Sequence, residues 1–318
     1  MMQTFRISDA LRCVLLNTPR GPNLASPWSD SPKGGTLQNL RLWKQVLAQQ
    51  DRRITLAWWD GVRLGGLASA RTRAGQRVWE IDHFYLPTGN IRQQPDGNDI
   101  NDIQSTAALE VLERLVQLAG CRSAERVFLR LPSNSPAICL AQRTGFFPYF
   151  EEVLMEGTGN QIAGAGNSWS GSFRVRQPED EYPLFQLFLA TTPAPVREAL
   201  GLTFDQWKDA QEPCTKGRQE WLQEGHNGKL VGWLGLLPHR GIVEGKVMVH
   251  PDHLDVLSQL VNLALSTPGA HKWLVPGYQE PVCDQLGYRG FQERARYTML
   301  IKKVAVPVMQ SGMAPVEA

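Results

Sequence analysis

The sequence predicts an α+β protein made of two similar halves, each a mixed sheet flanked by helices. Apolar residues make up 42% of the 318 residues and charged residues 20%, which is typical of a globular chain long enough for two domains. Stretches with strand periodicity alternate with stretches of helix periodicity. The same order of stretches occurs on both sides of a Gly- and Ser-rich segment at 157–171, which predicts a duplicated domain.

Paired fragments define the two halves. "GVRLGGLAS" corresponds to "GKLVGWLGLL", and "SPAICLAQRTGF" corresponds to "EPVCDQLGYRGF". Pro87 and Pro251 are 164 positions apart, whereas Gly145 and Gly290 are only 145 apart, so the first half carries an additional loop at 88–105. The predicted organisation is a first domain at 1–156, a linker at 157–171, a second domain at 172–306 and a flexible tail at 307–318.

The elements of the first half follow from local periodicity. "RITLAWW" and "RLGGLASA" are predicted strands around a turn at Asp60, and "RVWEIDHFYL" is a strand buried on much of both faces. "STAALEVLERLVQLAG" has apolar residues at helical spacing and ends at Gly120. "RVFLRL" is the next strand, "SPAICLAQRTGF" contains a short helix, and "YFEEVLM" is the last strand.

The second half repeats this pattern with extra helices near its start. "TTPAPVREALGLTFDQWKDAQ" predicts two helices, the later one capped by Thr203 with Gln206 three residues on. "HLDVLSQLVNLAL" predicts the central helix. Its predicted core face consists of Leu254, Leu257, Val261 and Leu265.

Charge, cysteine and hydropathy patterns exclude several classes of function. The formal net charge is +2 and no stretch gathers five like charges, which argues against nucleic-acid or membrane-surface partners. The five cysteines form no Cys-x-x-Cys pair, and His250 and His253 lack further ligands at metal spacing, so no metal site is predicted. The N-terminus lacks a signal-peptide core and no apolar run reaches membrane-spanning length, which favours a cytoplasmic protein.

The stretch "LRLPSNSPAICLAQRTGF" resembles the distal motif of the GNAT superfamily of N-acetyltransferases, in which a strand is followed by Asn, a short helix and Gly-Phe. The residues that carry the resemblance are Asn134, Ala137, Leu140, Gly145 and Phe146. The second half keeps the final Gly-Phe and the helix before it. Element order is similar to that of a tandem GNAT protein over about 1–156 and 172–306, which implies mostly antiparallel sheets with a splayed parallel pair in each half.

The resemblance implies that acetyl-CoA binds as co-substrate. Its pantetheine arm would enter between the splayed strands, and its pyrophosphate would lie on backbone N–H groups at the start of the next helix. In the first half this implies a cofactor-binding set of Phe84, Leu86, Gln104, Ser105, Thr106, Ala107, Ala108 and Asn134. The family's usual glycines are missing there, although the residues are small. In the second half Leu254, Asp252 and Asp255 stand at the corresponding place and disfavour phosphate, so the first half is expected to hold the cofactor.

Three residues are predicted to carry proton transfer. Glu80 and Asp82 lie on one face of the strand predicted to splay, where burial would raise a carboxyl pKa toward the range of a general base. The alternative is an ion-paired strand end. Tyr149 is the candidate proton donor because Ala141 and Leu286 stand where many family members have tyrosine; the alternative is a packing tyrosine.

The resemblance therefore implies an acyl-CoA-dependent N-acetyltransferase that acts on a small amine by direct transfer. A catalytically inactive tandem protein with a ligand-binding or interaction role is the alternative, which the missing glycines and the missing tyrosine favour. The sequence indicates neither the acceptor nor the oligomeric state.

Overall fold

The computed structural model describes residues 2–5, 9, 23–26, 52–60, 63–86, 102–159, 173–213, 215–239 and 241–304. Residues 88–101 of the predicted additional loop, most of the predicted linker and the predicted tail lie outside these ranges. The last four residues of that loop, 102–105, were wrongly predicted, because they form the first turn of a helix. Within them, no helix is long and apolar enough to cross a membrane. The described cysteines, Cys121, Cys139 and Cys283, form no disulfide with one another.

The described part of the first half contains six strands and two α-helices, of which all but the first strand were predicted and follow in the predicted order. They are β1 Met2–Thr4, β2 Arg53–Asp60, β3 Arg63–Thr72, β4 Val78–Tyr85, α1 Asp102–Gly120, β5 Arg126–Pro132, α2 Ala137–Arg143 and β6 Phe147–Gly159. The last strand, β6, continues three residues into the predicted linker. The short helix α2 ends where Gly145 adopts a positive φ of 84°, a conformation that glycine takes without steric cost.

The described part of the second half repeats this order, with three helices inserted after its first strand. Its elements are β7 Phe173–Val175, α3 Glu181–Thr191, α4 Ala194–Leu200, α5 Phe204–Asp209, β8 Gln219–Glu224, β9 Leu230–His239, β10 Ile242–Val249, α6 Asp255–Leu265, β11 Gly269–Pro276, α7 Glu280–Tyr288 and β12 Gln292–Lys303. The repeated order of elements agrees with the predicted duplication.

Two details of the second half can be compared with the prediction. The Thr203 side chain accepts a hydrogen bond from the Gln206 N–H at 3.3 Å, so the predicted cap is confirmed. The Gln206 side chain instead accepts from Leu202, one residue before the cap. Leu254 was wrongly placed in the core: it precedes α6, is 47% exposed, and the buried face of α6 begins at Val256.

The twelve strands of the described residues form one sheet in which the halves exchange their last strands. The order is β1-β2-β3-β4-β5-β12-β6-β11-β10-β9-β8-β7. The final strand of the second half, β12, lies against β5 of the first half, and β6 of the first half lies against β11 of the second. β6 and β12 also pair with each other. Neither half therefore has its complete complement of strands without the other.

Helices cover the sheet on two faces. On the back face, α1 and α2 pack on the first half, and α6 and α7 pack on the second. On the front face, α3 and α5 pack on β8–β10, and α4 and α5 extend over Val78, Phe128 and Ile301 of the central strands. Side chains alternate between the faces along each strand. Thus Val247 faces the back cluster whereas Met248 faces the front helices.

Each half contains one parallel pair of strands that separates before its strands end. β4 pairs with β5 only as far as Ile81 and Leu129, although β4 runs to Tyr85. β10 pairs with β11 only as far as Gly245 and Trp273. The predicted splayed parallel pair is therefore present in both halves. A Cβ at Gly245 would lie 2.4 Å from the Trp273 ring, so glycine allows the indole to cross β10 at the branch point.

Candidate functional site

In the first half, the chain's own residues occupy the gap between the splayed strands. The N–H of Phe84 donates to Oδ1 of Asn23 at 2.9 Å, and the N–H of Leu24 donates to the carbonyl of Phe84 at 2.9 Å. The side-chain amide of Asn23 also donates to the carbonyl of Asp82 at 2.8 Å. Ala25, 4% exposed, is part of the core cluster that includes Leu131 of β5.

Leu24 lies on the side of β4 that faces β5. The N–H and the carbonyl of a residue in an antiparallel pair point to the same side of its strand. Phe84 uses both groups for Asn23 and Leu24, so both groups point away from β3 and toward β5. The backbone groups of Phe84 that were predicted to receive a pantetheine arm are thus bonded within the chain. The remaining cavity beside Phe84 and Leu86 measures only about 10 Å³.

Of the other predicted cofactor residues of the first half, Ala107 and Ala108 line the same small cavity as Phe84 and Leu86. The side chains of Gln104 and Ser105 lie outside the described residues. Thr106 is exposed, whereas Ala107 and Ala108 are buried against the sheet beneath α1. Asn134 is exposed in the loop before α2. The small residues at the start of α1 thus allow close packing of the helix on the sheet.

The predicted bases Glu80 and Asp82 form ion pairs with arginines. Arg53 makes a bidentate pair with Asp82 at 2.7 and 2.8 Å. Glu80 accepts from Arg71 at 2.7 Å and from Arg73 at 2.9 Å. Burial acts to raise the pKa of Asp82, but the charges of His83 and Arg53 outweigh it and hold that pKa below its usual value. Their assignment as bases stays a prediction, and the ion pairs correspond to the alternative considered for them.

The predicted proton donor, Tyr149, lies at the middle of the sheet on β6. Its ring contacts Phe128 at a centroid distance of 5.9 Å and Phe150 at 4.8 Å. Among the described residues its hydroxyl is buried without a hydrogen-bond partner, and burial raises its pKa. Tyr149 is therefore protonated at neutral pH. It borders the cavity at the splayed strands of the second half, not the gap between β4 and β5.

The second half has an open cavity at its splayed strands, with a volume of about 370 Å³. Lys246, Val247 and Met248 line one side of it, and 273–276 line the other. Volumes of this order are typical of small-molecule sites. Among the described residues, the backbone of β10 beyond Gly245 is hydrogen-bonded only to β9, with no counterpart of Asn23 and Leu24.

The cavity is lined by side chains from both the back face and the front face of the sheet. Val247 belongs to the cluster beneath α6 and α7 on the back, and Val282 of α7 also lines the cavity. Met248 packs against the front helices, from which Phe188 and Trp207 line the cavity. Side chains from both faces can meet in one cavity because β10 and β11 separate there. We call this cavity the tunnel, and its part beneath α3 and α5 the front chamber.

The polar groups around the front chamber are paired with one another. Lys246 contacts Glu212 at 2.6 Å. Arg130 of β5 donates to Glu152 of β6 at 2.7 Å, so the first half contributes to the wall. Arg176 donates to Glu220 at 2.8 Å. The charge of Lys246 lowers the pKa of Glu212 strongly, against the opposing effect of burial.

The low pKa of Glu212 gives an expected pH dependence of stability. An acid whose pKa is lowered by folding stabilises the folded state above its ordinary pKa and loses that contribution as the pH falls through the lowered value. The free energy of unfolding should therefore decline below about pH 4.5, the ordinary pKa of Glu212. In urea unfolding at pH steps from 7 to 2, Glu212→Gln should reduce this decline and the exposed Glu179→Gln should not. Equal pH slopes for both variants would contradict the assignment.

Two polar residues near the tunnel were missed by sequence reasoning. Glu244 of β10 is 164 positions after Glu80, the same spacing that separates the paired prolines, and it could have been found from that repeat. Burial, followed by the charge of Glu212, raises the pKa of Glu244. Tyr278 follows β11, lines the tunnel and lies near Phe150; burial raises its pKa to about 12. No sequence signal identifies Tyr278.

The start of α6 carries acidic and bulky residues, as the sequence indicated, but they point outward. Leu254 is exposed, and so are Asp252 and Asp255. His250 accepts a hydrogen bond from the Asp252 N–H at 3.3 Å and so caps the short turn before α6. Leu254 therefore does not fill the interior of the tunnel, while the two carboxylates oppose an anion at this helix start.

Comparisons with known proteins support the fold. No protein-family model and no curated protein matches the sequence. A GCN5-related N-acetyltransferase from Sphaerobacter thermophilus is 16% identical, with a TM-score of 0.57 over 95% of both chains. A tandem GNAT protein from the clavulanic acid biosynthesis pathway is 13% identical, with a TM-score of 0.52 over 95% of this chain and 98% of that one.

A third similar structure contains a bound acyl-CoA. N-myristoyltransferase from Saccharomyces cerevisiae, with bound myristoyl-CoA and inhibitors, is 10% identical, with a TM-score of 0.51 over 95% of this chain and 79% of that chain. Together these matches show that the chain has the tandem GNAT fold. At such identities the likeness concerns the fold.

Proposed function

We propose that the protein is an acyl-CoA-dependent N-acyltransferase whose working cleft is the tunnel of the second half. The co-substrate would be acetyl-CoA and the acceptor a small amine, with direct transfer between them. The observation that carries the proposal is the open passage between β10 and β11 at the branch of a parallel pair. The equivalent gap in the first half is filled by 23–25.

The tunnel suits the pantetheine arm and the acyl group. An extended arm entering from the back would run beside the β10 backbone beyond Gly245, where described segments other than β9 make no hydrogen bonds. The thioester would then lie near the branch point at Trp273. The amine would approach from the front chamber, so that the two substrates meet across the sheet. Holding both in one cavity supplies the proximity that direct transfer requires.

Glu244 is the group we propose as proton acceptor. It lies two residues before Lys246 on the same face of β10, and the charges of Glu212 and Lys246, which both line the tunnel, act on it. Its raised pKa brings it closer to neutral pH, and its side chain has no described ion-pair partner. The equivalent residue of the first half, Glu80, is engaged by two arginines. We therefore favour Glu244 over Glu80 and Asp82.

These groups account for the bonds and the protons of the acyl transfer. Glu244 removes a proton from the ammonium of the acceptor, directly or through one water. The amine nitrogen attacks the thioester carbon and the new C–N bond forms. As the C–S bond breaks to release the CoA thiolate, the nitrogen loses its second proton, and this proton neutralises the thiolate. Tyr278 and Tyr149 line the tunnel and are both protonated at neutral pH, so either can relay the proton by giving its own to the thiolate and taking up the one from nitrogen.

A second candidate function is ligand binding without catalysis. The exposed carboxylates of Asp252 and Asp255 at the start of α6 favour it, because they oppose the pyrophosphate of CoA. In that case the tunnel would hold a small amphiphilic ligand that lacks a phosphate group at this position. The first half would then have a supporting role only.

An acyl-transfer assay separates the two functions. The full chain is incubated with acetyl-CoA and a panel of small primary amines, and free CoA thiol is followed colorimetrically. Amine-dependent thiol release that saturates with acetyl-CoA is the expected result. Absence of release, combined with no calorimetric binding of acetyl-CoA, would refute the acyltransferase. Binding without release over the whole panel would favour the non-catalytic function.

A further inference from the structure

The segment Asn23–Ala25 makes the hydrogen bonds to β4 that a ligand bound in the gap of the first half would make. Asn23 is 6% exposed, and its side-chain amide makes the two contacts expected of a peptide group in a neighbouring strand. Its Oδ1 accepts from the N–H of Phe84, and its Nδ2 donates to the carbonyl of Asp82. The N–H of Leu24 extends the pattern to the Phe84 carbonyl.

Packing holds the same segment in place. Ala25 and Leu24 contact the back core of the first half, which contains Phe84, Leu131 and Ala137 from β4, β5 and α2. The segment is thus hydrogen-bonded to β4 and belongs to the same core cluster as residues of β5 and α2. Oδ1 of Asn23 also accepts from the Ala25 N–H at 3.1 Å, which fixes the turn locally. Nδ2 of Asn23 is 3.1 Å from Nδ1 of His83, a contact that a neutral imidazole can accept.

We infer that Asn23–Ala25 is a built-in pseudo-strand that replaces the cofactor arm in the first half and closes that half to pantetheine. The gap of the first half still binds amide groups, but these groups belong to a segment of the same polypeptide and not to pantetheine. The protein consequently takes one acyl-CoA per polypeptide, at the tunnel. This stoichiometry rests on the proposed function, whereas the occupancy of the gap does not.

The occupancy can be tested by hydrogen exchange at single-residue resolution on the full chain without ligand. The amides of Leu24 and Phe84 should be protected, as expected for hydrogen-bonded backbone in a buried gap. Asn23→Ala removes the acceptor of the Phe84 N–H and should accelerate exchange there by about tenfold, which is the effect of one net hydrogen bond. Asn134→Ala, an exposed asparagine in the loop after β5, is the matched control and should change neither amide.

The same measurement with saturating acetyl-CoA tests the stoichiometry. Protection of Leu24 and Phe84 should stay unchanged, while protection of those β10 amides beyond Gly245 that point away from β9 should increase, with one acetyl-CoA bound per chain. Faster exchange at Leu24 with slower exchange at Phe84 on adding acetyl-CoA would mean displacement of the segment and would overturn the inference. Unprotected Leu24 and Phe84 in the ligand-free protein would overturn it as well. Failure of acetyl-CoA to bind would count against the proposed function. The exchange rates of the Leu24 and Phe84 amides in the ligand-free protein would still show whether the segment fills the gap.

Discussion

Residues 1–159 and 173–304, each produced alone, are expected to remain largely unfolded, whereas the two fragments produced together should assemble into one folded complex. The reason is the exchange of the last strands. β12 pairs with β5 from Tyr297↔Pro132 to Lys303↔Arg126, and β6 pairs with β11 from Gly269↔Gly159 to Pro276↔Glu152. Each isolated half would lack the strand that completes its sheet and would expose β5 or β11 as an open edge.

The loss also removes core contacts from both halves. Val153 and Met155 of β6 belong to the back core of the second half, and Leu300 of β12 belongs to that of the first. Deleting such buried side chains costs several kcal/mol each, which is of the order of the whole stability of a domain. Circular dichroism and heteronuclear NMR of each fragment and of the co-expressed pair provide the measurement. A cooperative thermal transition in either fragment alone would contradict the strand exchange.

Glu244→Gln is expected to lower kcat by about 10²–10⁴-fold, the usual contribution of a positioned general base, with little change in the KM for acetyl-CoA. The substitution keeps the size of the side chain and removes its ability to accept a proton at neutral pH. Since the pKa of Glu244 is raised by burial, the activity of the unmodified protein should fall as the pH drops through that raised value. The measurement is the pH profile of kcat and kcat/KM.

The matched control for this variant is Glu80→Gln, the equivalent position of the first half. Glu80 is bound to Arg71 and Arg73, so its replacement should lower stability but leave kcat of the folded fraction unchanged. A large loss of kcat in Glu80→Gln with little loss in Glu244→Gln would instead support the first half as the active one. Equal losses in both variants would indicate an indirect effect on the sheet.

Much of the fold could be predicted because its determinants are local. The apolar spacing of α1, the glycine that ends it and the alternation of β2 and β3 depend on neighbouring residues only. The repeat of fragments correctly predicted the repeated order of elements. The strand exchange could not be predicted, because β6 and β12 have similar patterns and either would complete either half. Pairing of distant strands depends on the whole sheet.

The site was harder to predict for a related reason. Sequence motifs favoured the first half, where Asn134 and the following helix resemble a cofactor element. The gap in that half is filled by Asn23 and Leu24, which lie about sixty positions before β4 ends and carry no recognisable motif. Glu80 and Glu244 occupy equivalent positions in the repeat, and only their surroundings distinguish them. Glu80 is paired with two arginines, whereas burial raises the pKa of Glu244.

The central claim is that the second half holds the cofactor, and a calorimetric titration with acetyl-CoA tests it most directly. Met248→Trp places a large ring in the tunnel wall of the second half, whereas Tyr85→Trp makes a comparable change beside the gap of the first half. The expected result is one bound acetyl-CoA per chain for the unmodified protein and for Tyr85→Trp, with binding lost in Met248→Trp while its thermal unfolding stays cooperative. Binding that survives Met248→Trp and disappears in Tyr85→Trp would contradict the claim.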